Sequence, residues 1–187
     1  ADVIATLLAN GQTERAWGLY KASGADIAKV TRATTLEGAS FYMTVARLHQ
    51  AVGDPASARR AWAAAIQILA AIELHEEQRV RLLSQAASAK AVLDASSAGD
   101  LSAALETLAL HPAAPFYAAA GRTPASPDEL DYLAVRAFLA ALGGVVDPVA
   151  AEALAKPPAF KMDAETAEVA AGIRAAGLAM AAPAGPE

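Results

Sequence analysis

The sequence predicts an all-α fold, and three observations lead to that prediction. Alanine accounts for 53 of the 187 residues, and it has the highest helix propensity because it has no side-chain rotamers to lose. Apolar residues recur at helical spacing along most of the chain. No segment shows the alternation of apolar and polar residues, rich in Val, Ile and Thr, that is typical of a strand. We therefore expect closely packed helices.

Four amphipathic helices can be placed in order from the spacing of their apolar residues. The first two lie in segments 41–52 and 58–72, and the other two lie before and after Gly99. Each carries its apolar side chains three or four residues apart, which places them on one face of a helix. These positions are Phe41, Val45, Leu48 and Val52; Ala58, Trp62, Ala65, Leu69 and Ile72; Leu82, Ala86, Ala89 and Leu93; and Leu101, Leu105 and Leu108.

The starts of several helices are marked by capping residues. Asp54 and Asp147 each precede a proline, so a carboxylate occupies the N-cap and proline the first helical position, where its missing N–H costs nothing. Asp100 is a third N-cap. Ser126 and Glu129 form a capping box, in which the serine oxygen accepts an N–H group and Glu129 reaches back to the N-cap N–H. The acidic residues at this position are therefore interpreted as stabilising a helix start.

The C-terminal part of the chain is expected to form a second group of helices. Segment 130–142 is apolar on nearly all sides, so a helix there must be covered on more than one face. We expect it at the centre of this group, with an oligomer interface as the alternative. The predicted organisation is a helical block at 1–112, a proline-rich connection at 113–127, C-terminal helices at 128–182 and a disordered tail at 183–187.

The first block contains an internal repeat. A glycine is followed five residues later by alanine and, after four more, by a large residue. Glycine lets the chain reverse, alanine lets two helices approach, and the large residue fills the space between helix hairpins. The copies are Gly11, Ala16 and Tyr20; Gly53, Ala58 and Trp62; and Gly99, Ala104 and Leu108. We expect the three glycines to be equivalent turns between antiparallel helices.

At these residues the chain resembles a tetratricopeptide-repeat protein. The best-matched unit has Ala46 on its first helix, Gly53-Asp54 at the turn, and Ala58, Trp62 and Ala65 on its second helix. The resemblance covers roughly residues 1–112, although the glycines are 42 and 46 residues apart where the family's repeat has 34. It implies stacked antiparallel helix hairpins in a superhelix, with capping helices after them; a bundle without repeats is the alternative.

The resemblance implies a non-catalytic protein–protein interaction scaffold or assembly factor. Such a protein binds a segment of its partner in the groove lined by the first helix of each hairpin. The implied groove residues are Met43, Thr44, Arg47 and Gln50 in the second hairpin, and Lys90, Leu93 and Ser97 in the third. Arg47 and Lys90 would donate charge-assisted hydrogen bonds to acidic groups. The alternative is a helical carrier of a small molecule or lipid, bound between the first block and the helices of 128–182.

Other classes of function are disfavoured by the residues present. A net charge of −5 argues against nucleic acid as a partner. The chain has no cysteine, and its three histidines (His49, His75 and His111) lie far apart, so we expect no metal and no cofactor. No nucleophile motif lies beside a histidine, and we expect no enzymatic activity. No apolar stretch reaches the ~18 residues of a membrane span.

Oligomeric state and compartment stay open at this point. The chain begins at Ala1 without methionine and without a basic, apolar leader. Such a start is expected both for a mature exported protein and for a segment cut from a longer chain. Exported and cytoplasmic locations are therefore equally compatible with the sequence.

Overall fold

The fold is entirely helical in the residues that the structure describes. A computed structural model describes residues 2–23, 34–73, 75–161 and 164–181, with the backbone alone at 164–166 and 181. Its helices are α1 (Asp2–Ala9), α2 (Thr13–Ala22), α3 (Leu36–Ala51), α4 (Pro55–Ala71), α5 (Glu76–Ala98), α6 (Leu101–Leu108), α7 (Pro127–Leu142), α8 (Pro148–Ala155) and α9 (Ala164–Ala181), with a 3₁₀ turn at Ala114–Tyr117. The all-α prediction is confirmed. The predicted tail at 183–187 lies outside the described residues.

None of the helices in these described ranges has the length and apolar character needed to cross a membrane.

The helices form two compact units, residues 1–86 and 87–187, and the boundary falls within α5. This boundary differs from the predicted one, which placed a connection at 113–127. The reason is that the proline-rich segment packs into the second unit instead of spanning two blocks. Ala113 is 4% exposed and Tyr117 is 0% exposed, and both belong to the core of that unit.

The first unit contains two helix hairpins. A short connection joins α1 to α2, which pack together, and α3 packs along α4. Both α1 and α2 also contact α3. Ile4, Ala16 and Leu48 are buried where these helices meet, and the rings of Trp17 and Tyr20 stack 5.5 Å apart beside them. The second hairpin thus provides the surface on which the first one packs.

The three glycines of the repeat lie at the turns α1–α2, α3–α4 and α5–α6. Their φ angles are 70° at Gly11, 77° at Gly53 and 64° at Gly99, in the left-handed region that glycine adopts without a Cβ clash. The first two turns carry the paired backbone hydrogen bonds of a Schellman motif. At the third turn, the N–H of Asp100 instead bonds to the carbonyl of Asp94. The prediction that these glycines lie at turns is confirmed, but the third turn differs from the other two in its hydrogen bonds, so the predicted equivalence is seen for Gly11 and Gly53 alone.

The alanine after each turn glycine is buried, and so are two of the three large residues that follow it. Each alanine is 0% exposed, which permits the close approach of neighbouring helices. Trp62 is 2% and Leu108 3% exposed, whereas Tyr20 is half-buried. The three buried alanines are Ala16, Ala58 and Ala104.

The predicted N-caps form hydrogen bonds at the starts of their helices. The carboxylate of Asp54 accepts the Ser57 N–H at 3.0 Å, and that of Asp100 accepts the Ala103 N–H at 2.9 Å. Asp147 accepts two N–H groups at the start of α8, each at 2.9 Å. These short-range signals fix where α4, α6 and α8 begin.

The capping box at the start of α7 is confirmed in one half and wrong in the other. Ser126 Oγ accepts the Glu129 N–H at 3.2 Å, as predicted. The Glu129 carboxylate, however, accepts the Ala125 N–H and the Tyr117 hydroxyl, each at 2.8 Å, and binds Arg122 Nη2 at 2.7 Å. Because these three donors hold the carboxylate, it turns toward Arg122 rather than toward the N-cap N–H.

In the second unit, α7 occupies the centre, where it contacts α6, α8 and α9. Leu130 and Leu133 are 0% exposed and Leu139 is 1% exposed. The prediction that this apolar segment is covered by its own group of helices is therefore confirmed.

Candidate functional site

A groove in the first unit runs between α1 and α3, and we call it the α1–α3 groove. Its volume is about 360 Å³. Thr13, at the start of α2, closes one side. The two main walls are formed by three residues each, which are Ala5, Leu8, Ala9, Thr44, Arg47 and Ala51. Three of these are alanines, so the walls are low and the groove is broad enough to receive side chains of another molecule.

Arg47 is the charged residue among those that line this groove. The side chain is exposed, and its guanidinium carbon lies 5.7 Å from the centre of the Trp62 ring. Its Nη2 donates to Gln85 Oε1 at 3.3 Å. A cation over an aromatic face is held by the ring quadrupole. The charge of Arg47 is therefore available to a ligand and partly fixed in position.

The structure places the four predicted residues of α3 in different environments. Thr44 and Arg47 both line the α1–α3 groove, and the Thr44 hydroxyl donates to the Ser40 carbonyl at 3.0 Å. Met43 is 3% exposed, in the core. Gln50 is exposed, and its Oε1 accepts the Trp62 Nε1–H at 3.0 Å. Thr44 and Arg47 are thus the two members of this set that share one groove.

The other predicted residues belong to the second unit. Lys90 Nζ donates to Asp94 Oδ2 at 2.6 Å and to Thr107 Oγ1 at 3.0 Å. Leu93 is 8% exposed, whereas Ser97 is exposed. Because the fully buried Asp94 neutralises Lys90 on the same helix, this lysine has less charge to offer an acidic partner than Arg47 has.

Sequence reasoning missed the residues that α1 contributes to the groove. Ala5 and Ala9 are four residues apart on one helical face, and Thr44, Arg47 and Ala51 have the corresponding spacing on α3. That spacing is a usable signal for a shared face. It does not reveal which two helices lie side by side, because that depends on packing between distant parts of the chain.

The second unit contains a larger cavity, which we call the α6–α7 cavity. Its volume is about 590 Å³, and it lies between α6, the 3₁₀ turn, α7 and the turn that leads to α8. Five large aliphatic side chains line it: Leu101, Leu105, Leu108, Leu139 and Val145. Its polar lining residues are Tyr117, Tyr132, Arg136 and Asp147.

Arg136 connects the polar residues of this cavity. Its Nε donates to Asp147 Oδ2 and its Nη1 to the Tyr117 carbonyl, each at 2.5 Å. Since Asp147 is at the same time the N-cap of α8, this ion pair fixes the start of α8 against α7.

Two buried acidic residues of the second unit, Asp94 and Glu129, have partners within the chain. Asp94 is held by Lys90 and Thr107, and Glu129 by Arg122, Tyr117 and a backbone N–H. Across the ranges that the structure describes, no three metal-ligating side chains are grouped so that they could hold a metal ion.

Comparison of the chain with known protein families, curated proteins and solved structures finds no match.

Proposed function

We propose that the protein is a non-catalytic interaction module of tetratricopeptide type, whose α1–α3 groove binds an acidic segment of a partner protein. The observation that carries this proposal is the position of Arg47. It is an exposed cation that lies over the Trp62 ring at one wall of a groove whose other lining residues are uncharged. A carboxylate of the partner would accept charge-assisted hydrogen bonds from its guanidinium.

The remaining lining residues define what else the partner segment needs. Ala5, Ala9 and Ala51 leave room for side chains of another molecule, and Leu8 provides apolar surface. A segment with aliphatic or small side chains beside an acidic residue would therefore bury apolar area and satisfy Arg47 at once.

The contacts of Arg47 favour binding in a second way. An arginine that is free in water loses side-chain entropy when it binds a ligand. Here the Trp62 ring and the Gln85 amide already restrict the guanidinium. Part of this entropic cost is therefore met before a partner arrives.

The proposal is tested by selecting ligands from a library of random twelve-residue peptides displayed on phage, with the intact chain as bait. We expect enrichment of peptides with one or more Asp or Glu beside aliphatic residues. Enriched peptides are then synthesised and titrated against the chain and its variants. For Arg47→Gln we expect affinity to fall roughly tenfold, as is usual for loss of a charge-assisted hydrogen bond, and for Ala9→Trp, which fills the groove, we expect binding to be lost.

Matched control variants distinguish an effect on the groove from an effect on the stability of the whole protein. Arg60→Gln removes an exposed arginine of α4 that donates to Ser57, and Ala56→Trp adds the same bulk at an exposed position outside the groove. Neither change should alter affinity more than twofold. Enrichment of peptides without acidic residues, or equal affinity for Arg47→Gln and Arg60→Gln, would count against the proposal.

A further inference from the structure

We propose that the α6–α7 cavity is a second binding site, independent of the α1–α3 groove, which takes an uncharged amphipathic molecule. The ligand has a saturated chain that lies against the leucines and an oxygen acceptor that lies at Arg136. With about 590 Å³, the cavity has the size typical of small-molecule sites in proteins.

The aliphatic side chains that line the cavity are unusually exposed, which favours a bound ligand. Leu105 is 51% exposed and Val145 62% exposed, and both line the cavity. Near this lining, Leu142 at the end of α7 and Val146 next to Val145 are 53% and 43% exposed. Scattered apolar residues are normal on a surface, but a group of them around one cavity is characteristic of a binding site. A saturated chain would remove this surface from water.

The polar side of the cavity offers hydrogen-bond donors. A guanidinium has five N–H groups, and Arg136 uses two of them to hold Asp147 and the Tyr117 carbonyl. The Asp147 carboxylate is engaged as well, since Oδ1 accepts two backbone N–H groups and Oδ2 accepts Arg136 Nε. The hydrogen-bonding capacity that remains at this ion pair is that of the Arg136 N–H groups, which are donors. The ligand must therefore contribute an acceptor oxygen.

Charge balance then selects an uncharged head group. Arg136 and Asp147 form an ion pair, with side chains 23% and 14% exposed, so the charges that line the cavity already cancel. A carboxylate or an ammonium group that left water here would have no unmatched opposite charge to compensate its desolvation. An ester, ketone or alcohol oxygen accepts the hydrogen bond without that cost.

The test is titration of the isotope-labelled intact chain with methyl octanoate, followed by amide chemical shifts, with octanoate and octylammonium as charged probes of the same chain length. We expect saturable shifts at Tyr132, Arg136 and Leu105, with methyl octanoate binding at least tenfold more tightly than either charged probe. Leu105→Ser should weaken binding roughly fivefold to tenfold, because half of a leucine side chain no longer contributes apolar contact.

Leu110→Ser is the matched control, since Leu110 is 54% exposed and lies outside the cavity lining; it should change affinity less than twofold. Ala118→Trp, at an exposed lining position, should block binding, whereas Ala120→Trp, exposed and outside the lining, should not. Absence of saturable shifts, equal losses for the two leucine variants, or tighter binding of octanoate would overturn the proposal. The groove variants Arg47→Gln and Ala9→Trp should leave methyl octanoate binding unchanged.

Discussion

At the scale of single residues, two acidic groups buried in the second unit, Asp94 and Glu129, are stabilised by partners of opposite charge and by hydrogen bonds. Asp94 is 0% exposed, and its Oδ2 accepts Lys90 Nζ and the Thr107 hydroxyl. Burial alone would raise the pKa of Glu129, but its hydrogen bonds from Arg122, Ala125 and Tyr117 lower that pKa below its usual value. Such groups are costly to bury and more costly to separate from their partners.

His111 is the buried group that should make stability depend on pH. It is 1% exposed, and burial lowers its pKa from 6.5 to about 4. In the unfolded chain this histidine takes up a proton near its usual pKa, while in the folded chain it stays neutral to about pH 4. Unfolding therefore binds a proton between these values, and stability falls as pH drops from 6.5 to 4, by about 3 kcal/mol in total.

The prediction is checked by urea unfolding of the chain and of His111→Asn at pH 7, 5.5 and 4.5. Asparagine supplies an acceptor for the Ala113 N–H, which His111 Nδ1 binds at 3.0 Å, but it does not titrate. The variant should lose less stability than the native chain over this interval. His75→Asn, at an exposed histidine, is the control and should follow the native curve; equal pH dependence for all three proteins would show that His111 does not titrate as argued.

At the scale of helices, the packing of α9 depends on the close approach of Gly177 to its neighbours in α7 and α8. A Cβ added to Gly177 would lie 2.6 Å from Leu154 Cδ1 and 3.5 Å from the Ala134 Cα. Leu154 is 0% exposed, so it has little freedom to move aside. Gly172, on the same helix, has no neighbouring atom within 4 Å of such a Cβ. The two glycines thus offer a test of which face of α9 is packed.

Gly177→Ala should destabilise the protein by about 1–2 kcal/mol, because overpacking outweighs the gain in helix propensity. Gly172→Ala should instead stabilise it by up to about 1 kcal/mol, since only the propensity changes. Thermal and urea unfolding of the two variants measure the difference. If both variants were stabilised equally, the packing of α9 against α7 and α8 would be incorrect.

What the sequence predicted well at this scale is local. The turns at Gly11 and Gly53 and the caps at Asp54 and Asp100 depend on a few neighbouring residues. A glycine suffices to indicate such a turn, and an aspartate suffices to indicate such a cap. The burial of Tyr117 and the turn of Glu129 toward Arg122 depend on contacts across the second unit. The proline-rich composition of 113–127 predicted a connection between two blocks. Composition indicates how stiff a segment is but not what it packs against, so this packing could not be predicted.

The candidate sites were predictable to a smaller extent than the helices. The resemblance predicted that Arg47 lines a partner-binding groove. Arg47 lines the α1–α3 groove, and the binding of a partner there stays a prediction. The facing residues of α1 come from a segment nearly 40 positions earlier in the chain, so periodicity alone could not pair the two helices. The α6–α7 cavity likewise requires knowledge of how a turn and two helices meet.

At the scale of the whole molecule, the two units differ in charge. Residues 1–86 carry nine basic and eight acidic side chains, whereas residues 87–187 carry six and twelve. The groove with Arg47 belongs to the unit that is nearly neutral, and the cavity proposed for an uncharged ligand belongs to the acidic one. This distribution agrees with an acidic ligand at the first site and with rejection of anions at the second, because like charges oppose association.

The most direct measurement of the central claim is a charge exchange between Arg47 and its ligand. The highest-affinity acidic peptide and a version with its acidic residue replaced by lysine are titrated against the native chain and Arg47→Glu. We expect the native chain to prefer the acidic peptide at least tenfold and Arg47→Glu to reverse that preference, with both effects reduced at high salt. Equal affinity of the two chains for the acidic peptide would contradict the assignment of Arg47 as the group that recognises the partner.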